Sequence, residues 1–343
     1  MRDLISLVNN NSKLRFYAIC GLLFAVLIFG GCLWSANINK TTNKVNVENL
    51  KVGVFKGEFS SLIYLADEKG FFKDNGLNVE LSEYDSGVKA VLALLNKEVD
   101  VADGAEFVAV SNINGKDLRI FSAINSISNA IRLIAKKDKI FDVTSLVGKK
   151  IGIKSKSQAE FFMGSYLTLN LLKADDIKLI DIDPSAMSGA LKNNQLDGVV
   201  VWDPFASNIE EMLGADSFVS DVQSGRDFYF LTMTRQEIIK EKPEVLKKFL
   251  SALIQAESFA KQHNDQAKEA VKNRLGYDQE YIDKVWPHYG LKVFLPQTLL
   301  VTMEDEAKWL GKGAGGSQLP NYLDFIDYSI LGSLDNNRVT IIR

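Results

Sequence analysis

Short apolar segments alternate with amphipathic segments from residue 45 onward. The apolar segments are rich in β-branched residues or alternate apolar with polar positions, which predicts strands at 49–55, 77–85, 99–107 and 117–124. Between them, apolar residues recur every three to four positions, which predicts helices at 60–76 and 86–100. This order is typical of a mainly parallel sheet flanked by helices.

The same rhythm returns in the middle of the chain and then gives way to helices. Further strands are predicted at 131–137, 177–183, 196–205 and 228–235, with helices at 157–172 and 185–195. The segment 144–155 is predicted to hold a turn at Val147-Gly148 and a strand. From Pro243 onward the pattern is helical, and 322–334 is the last predicted helix. A length of 343 residues fits two such α/β units in series.

The N-terminus has the pattern of an export signal. Arg2, Lys13 and Arg15 precede an uncharged run over 16–36. Gly31 followed by Cys32 resembles the lipobox of bacterial lipoproteins, in which the cysteine is lipidated. We therefore expect a signal peptide over 1–31 and a lipid-anchored tether over 32–46, with an uncleaved signal anchor as the alternative.

Composition excludes several classes of function. Lysine plus arginine number 40 against 43 aspartate plus glutamate, so no basic surface for nucleic acid is indicated. Both cysteines, Cys20 and Cys32, lie in the leader, so the body has no disulfide, thiol nucleophile or cysteine zinc site. His263 and His288 lack partners for a metal or catalytic site, and no enzyme motif stands in a supporting context. We expect neither a cofactor nor a metal.

Candidate ligand contacts lie where predicted strands end, because open α/β sheets bind ligands there. Small hydroxyl residues at helix starts suit a polar or anionic group, and aromatic residues suit an apolar body. Each candidate has a structural alternative: the serines as helix caps, Trp202 as core, the two acids as loop residues. The candidates are Phe59, Ser60, Ser86, Glu106, Phe107, Ser155, Gln158, Trp202 and Asp203.

Four passages resemble the nitrate/sulfonate/taurine solute-binding proteins of ABC transporters. These are YLADEKGFFKDNGLNVEL (64–81), SGVKAVLALLNKEVDVADG (86–104), LVGKKIGIKSKSQAEFF (146–162) and ALKNNQLDGVVVWDPF (190–205). The likeness extends over roughly 47–260. In the second and fourth passages other residues replace the family's usual glycine, Asn194-Gln195 in the fourth.

The resemblance implies a two-lobed type II periplasmic-binding fold with central mainly parallel sheets and a helical C-terminal part. It also implies an ABC permease and ATPase as partners, a monomer, and closure of the lobes on a small ligand. Lobe I is expected at 47–128 and 233–343, and lobe II at 129–232, with crossings near 126–131 and 228–236. Family ligands include nitrate, alkanesulfonates, taurine, thiamine pyrimidine precursors and other aromatics.

Three alternatives stay open. The ligand is either a sulfonate, taurine or nitrate-like anion, or a thiamine pyrimidine precursor or other aromatic. A pyrimidine-synthesising enzyme of the same superfamily is disfavoured, since its chemistry uses a cysteine-rich motif that this body lacks. A tethered sensor domain is the last alternative. We expect an exported, membrane-anchored binding protein rather than an enzyme.

Overall fold

A computed structural model describes residues 47–113, 117–311 and 319–342. The expected signal peptide and tether, with Cys32, lie outside the described residues. The described strands are β1 Glu48–Phe55, β2 Leu77–Tyr84, β3 Val101–Ala105, β4 Arg119–Ile127, β5 Ile131–Lys136, β6 Lys150–Ile153, β7 Lys178–Asp181, β8 Gly198–Trp202, β9 Ser217–Asp221, β10 Phe228–Thr234 and β11 Tyr289–Phe294.

Helices separate most of these strands. They are α1 Ser61–Glu68, α2 Phe71–Asp74, α3 Gly87–Leu95, α4 Glu106–Asn112, α5 Gln158–Leu169, α6 Pro184–Lys192, α7 Phe205–Leu213, α8 Gln236–Glu241, α9 Pro243–Gln262, α10 Asn264–Leu275, α11 Gln279–Val285, α12 Gln297–Gly311 and α13 Ser329–Leu334. Helix α9 covers one face of the β1 sheet, where Phe249 stacks on Phe72 with ring centroids 5.5 Å apart.

The strands form two sheets, in the orders β11-β4-β10-β3-β1-β2 and β7-β6-β8-β5-β9. We call these the first and second sheets. Strands β1, β2 and β3 pair in parallel, as do β6, β7 and β8. Strand β10 in the first sheet and β5 in the second are antiparallel to both neighbours.

The expectation of mainly parallel sheets is therefore wrong, since both sheets are mixed. The cause lies in how the chain passes between them. Strands β5 and β10 are each the first strand after a crossing, so they start beside the opposite sheet and run away from it. Parallel strands such as β1 and β8 instead run towards the opposite sheet and end there.

Two strands were not predicted. Strand β9 is one, and β11 interrupts the C-terminal part that the pattern predicted as helical. Strand β11 pairs with the edge of β4. Such a strand forms because a sheet edge is available for pairing, and local propensity contributes less. The helix predicted at 322–334 is a 3₁₀ turn at Tyr322–Phe325 followed by α13.

The chain crosses between the sheets at 128–130 and 222–227. The second crossing lies before the predicted 228–236, because β10 already belongs to the first sheet. The two crossings are joined by the buried side chain of Gln223. Its amide oxygen accepts from the Ala130 N–H at 3.0 Å, and its amide nitrogen donates to the Ile127 carbonyl at 2.9 Å.

Replacing Gln223 by alanine should lower the free energy of unfolding by about 2–6 kcal/mol, because two buried backbone groups lose their partners at about 1–3 kcal/mol each. Urea denaturation measures this change. The control is Gln195→Ala, an exposed position at which we expect a change within about 0.5 kcal/mol. Equal effects of the two substitutions would contradict a joining role for Gln223.

Candidate functional site

A cavity lies between the two sheets; the space there that no atom fills, open solvent included, is about 340 Å³. Both sheets contribute to its wall, which is mainly apolar and rich in aromatic rings. The lining residues are Phe55, Phe59, Gly87, Val88, Ala105, Val108, Ile131, Ser157, Gln158, Trp202, Phe228 and Phe230.

Four phenylalanines form the aromatic wall on the side of the first sheet. Phe228 and Phe230 share a face because side chains alternate along β10. The ring of Phe59 lies 5.8 Å from that of Phe228 and 5.5 Å from that of Phe230. Phe55, at the end of β1, contacts Phe59 at 5.3 Å. Aromatic pairs favour edge-on and tilted arrangements over face-to-face ones, and the four rings together form an apolar surface.

A buried aspartate holds this wall in place. Both carboxylate oxygens of Asp103 are used: one accepts from the Phe55 N–H at 2.7 Å and the other from the Ser60 hydroxyl at 2.5 Å. Burial raises the pKa of the Asp103 carboxyl to about 7, against the opposing effect of these hydrogen bonds. The bonds fix the loop that carries Phe55 and Phe59.

Trp202 forms the wall on the side of the second sheet. It ends β8, and its ring meets that of Phe55 edge-on at 6.4 Å, across the space between the sheets. The next residue, Asp203, turns away from the cavity and binds Arg132 at 2.7 Å and the Ser207 hydroxyl at 2.7 Å. Arg132 also pairs with Glu210. This arrangement orients the strand end that carries Trp202.

Two helix N-termini also reach the cavity. Helix α3 begins at Gly87, after Ser86, whose hydroxyl accepts from the Lys89 N–H. A Cβ atom at Gly87 would lie 2.8 Å from the Cα of Gly104, so only glycine permits this approach. Helix α5 begins at Gln158. The unpaired N–H groups and dipoles of helix starts give this part of the wall a partial positive charge.

Gln158 is held in one orientation. Its amide oxygen accepts from the Phe107 N–H at 3.2 Å, and its amide nitrogen donates to Glu306 at 2.7 Å. Behind it, Glu106 accepts from the Tyr229 N–H at 2.8 Å. Burial raises the pKa of both carboxyl groups, and the proximity of Glu306 raises that of Glu106 further; Glu306 reaches about 8. Glu306 therefore retains its proton near neutral pH.

A further buried acid, Glu58, lies beside the aromatic wall. Glu58 is completely buried and accepts hydrogen bonds from the hydroxyl groups of Tyr277, Tyr281 and Tyr289, at 2.8, 2.8 and 2.9 Å. Burial, and then the negative charge of Asp203, raise the pKa of Glu58 to about 7, while the tyrosine hydroxyls act in the opposite direction. The tyrosines tie the C-terminal helices and β11 to the loop that carries Phe59.

Two lysines on segments next to cavity-lining residues, Lys89 and Lys154, are paired with acids. Lys89, from α3, binds Asp183, which precedes α6 of the second sheet, at 2.8 Å. Asp183 also binds Lys154 at 2.8 Å. There is a second contact between the same two segments: the Ser185 hydroxyl donates to Asp85 at 3.0 Å. These bonds join α3, beside the first sheet, to the start of α6, beside the second.

The structure separates the predicted contacts into two groups. Phe59, Gln158 and Trp202 line the cavity. The other six lie behind the wall or beside it: Ser60 on Asp103, Ser86 at the start of α3, Glu106 on Tyr229, Phe107 against Phe161, Ser155 on Asp181, and Asp203 on Arg132. Contact with a ligand stays a prediction for all nine.

The pattern missed the aromatic residues Phe55, Phe228 and Phe230 and the apolar residue Ile131. Ile131 and Phe228 begin strands instead of ending them, because β5 and β10 start at the cavity after each crossing. Phe55 is the last residue of β1. An aromatic residue at the end of a strand was the signal that could have identified it as part of the cavity wall.

The described ranges hold no cluster of three or more histidine, cysteine, aspartate or glutamate residues suited to a metal ion. In those same ranges, no helix is both long and apolar enough to cross a bilayer. The apolar run at 16–36 lies outside them.

Comparison with known proteins gives the fold and the family. The alkanesulfonate-binding protein of Xanthomonas axonopodis has the same fold, with a TM-score of 0.69 at 16% identity over 82% of this chain and 98% of that one. The model of the NMT1/THI5 like family matches residues 60–267, more than half of the chain, and the chain belongs to that family.

Two relatives are similar in sequence. A protein of Brucella abortus, named provisionally as a binding protein, is 27% identical over 233 residues, which cover 65% of this chain and 70% of the relative. The taurine-binding periplasmic protein of Escherichia coli is 25% identical over 191 residues, which cover 54% of this chain and 59% of the taurine-binding protein. Both relatives carry names of binding proteins.

The free energy of unfolding should fall as pH rises from about 4.5 to about 7, because the folded state keeps the Glu58 proton that the unfolded chain has released. A shift from 4.5 to about 7 corresponds to about 3 kcal/mol. Urea denaturation across this range should show that the free energy of unfolding changes less with pH in Glu58→Gln than in the wild type. Asp103 accounts for part of the pH dependence that is left in the variant. An unchanged slope would contradict a protonated Glu58.

Proposed function

We propose that this protein is the extracytoplasmic solute-binding component of an ABC importer and delivers a small organic ligand to a permease driven by its ATPase. The observation that carries this proposal is the cavity between two sheets, with walls from both and, among the described residues, two crossings between them. A ligand that touches both walls binds the closed arrangement better and shifts the population towards it.

The proposal treats the two sheets as lobes. Lobe I comprises 47–128 and the segment after the return crossing, and lobe II the segment between the crossings. Motion at the crossings, tied together by Gln223, opens and closes the cavity as a hinge. The closed form presents the surface that the permease recognises, and the protein acts as a monomer.

The proposed ligand is a small organic anion with an apolar body, in the sulfonate class. Two helix N-termini at Gly87 and Gln158 supply partial positive charge for the anionic group, and the phenylalanines with Trp202 contact the body. The names of the taurine-binding and alkanesulfonate-binding proteins support this class. Nitrate, which lacks an apolar body, fits this wall less well.

A second candidate is an uncharged aromatic ring such as a pyrimidine precursor of thiamine. It is favoured by the lining itself, which contains five aromatic rings and no basic side chain. Neither candidate requires catalysis. An enzyme would convert its ligand, so recovery of the bound compound unchanged separates a binding protein from an enzyme.

Taurine, an alkanesulfonate, nitrate and an aminopyrimidine should be compared by thermal shift and calorimetry. We expect a sulfonate to bind, and a hundredfold excess over Kd to add about 2.7 kcal/mol to the free energy of unfolding. Trp202→Ala should weaken binding at least tenfold, because it removes an aromatic wall.

The matched control is Trp286→Ala, since this indole binds Asn264 and lies away from the cavity lining. Equal losses in the two variants would contradict the assigned site. Binding of the aminopyrimidine alone would select the second candidate, and turnover of any compound would overturn the assignment as a binding protein.

The proposal includes export and a lipid anchor on Cys32. Mass spectrometry of the protein isolated from bacterial membranes should give a chain that begins at Cys32 and carries lipid, and Cys32→Ser should retain the full leader. A wild-type chain that begins at Met1 would support the uncleaved signal anchor.

A further inference from the structure

Helix α12 is anchored to the first sheet at its first turn. The Tyr229 hydroxyl, on β10, hydrogen-bonds the Thr298 hydroxyl at 2.6 Å. The Gln297 N–H donates to the Thr340 hydroxyl at 3.2 Å. Helix α12 packs on α4, and Leu299 and Met303 are completely buried. The start of the helix therefore moves with the first sheet.

The last turns of α12 reach α5, which belongs to the second sheet. The indole of Trp309 meets the ring of Phe161 edge-on at 5.8 Å and that of Phe107 at 5.7 Å. It lies directly on Gly164 of α5, where a Cβ atom would overlap the indole ring. The missing side chain at residue 164 therefore permits the contact.

A hydrogen-bond chain joins the same two helices closer to the cavity. Glu306 on α12 is completely buried and accepts from the amide of Gln158, the first residue of α5. The amide oxygen of Gln158 accepts in turn from the Phe107 N–H on α4. Gln158 lines the cavity, so this chain connects the cavity wall to α12.

We propose that α12 is a latch between the two sheets: Trp309 seated on Gly164, and Glu306 bonded to Gln158, hold the sheets together over the cavity. This inference rests on the proposed function in so far as closure serves ligand capture. The latch sets how far the closed arrangement is populated before a ligand binds. Trp309, Gly164 and Glu306 do this without lining the cavity.

The sharpest test is Gly164→Ala in the full-length, ligand-free protein in detergent, followed by hydrogen–deuterium exchange with mass spectrometry. Alanine is a better helix former than glycine, so α5 itself is not weakened and the clash with Trp309 is the intended effect. The matched control is Gly189→Ala in α6, where a Cβ atom meets open space.

We expect Gly164→Ala to raise exchange at least fivefold in 158–169 and 300–311. Exchange should also rise at the cavity segments 54–60 and 198–205, and Gly189→Ala should leave all four segments unchanged. Adding Gly164→Ala to Trp309→Ala should have no further effect, because the clashing ring is gone.

Glu306 is tested in the same way. Glu306→Gln keeps an acceptor for Gln158, so the cavity segments should stay protected from exchange. Glu306→Leu removes the acceptor, so exchange at the cavity segments should rise.

Either of two results would overturn the latch. The first is equal exchange in Gly164→Ala and Gly189→Ala. The second is a rise confined to the two helices while the cavity segments stay protected, which would reduce the contact to local packing. None of these measurements uses a ligand, so a ligand panel without binding would overturn the proposed function and leave the outcome for the latch unaffected.

Discussion

The architecture depends on one constraint, that in the described part of the chain two separately hydrogen-bonded sheets are joined by two short crossings. Gln223 satisfies backbone groups of the first crossing from within the second, so the crossings act as one unit. Strands β4, β5, β9 and β10 end or begin at these crossings, and β1 and β8 end on the same side, so the residues at these strand tips face the opposite sheet. The cavity is a direct consequence of this connectivity, with Phe55 and Trp202 meeting across it.

The cavity wall is apolar, but buried acids hold it in position. Asp103 fixes the loop of Phe55 and Phe59, and Glu306 fixes the amide of Gln158. Glu58 binds three tyrosine hydroxyls from the C-terminal region. Burying a carboxyl group is costly unless hydrogen bonds or a retained proton compensate, and both occur here. These groups shape the site without facing its interior.

The sequence predicted the element order and part of the wall, and the reasons for success and failure are physical. Trp202 and Phe59 were found because parallel strands end at the cavity. Phe228 was missed because an antiparallel strand begins there, a direction that depends on the crossing and not on local pattern. Ser60 and Asp203 stand at strand ends, yet their hydrogen bonds turn inward to Asp103 and Arg132.

The sequence by itself determined what is local: the periodicity that forms most strands and helices, their order, and the motifs of the family. The tertiary structure decided what depends on distant partners. Strand β11 exists because β4 offers an edge, and Glu306 reaches Gln158 across 148 positions of the chain. Local patterns carry no information on such contacts, because a side chain's neighbours across the fold are set only when the two sheets and α12 pack together.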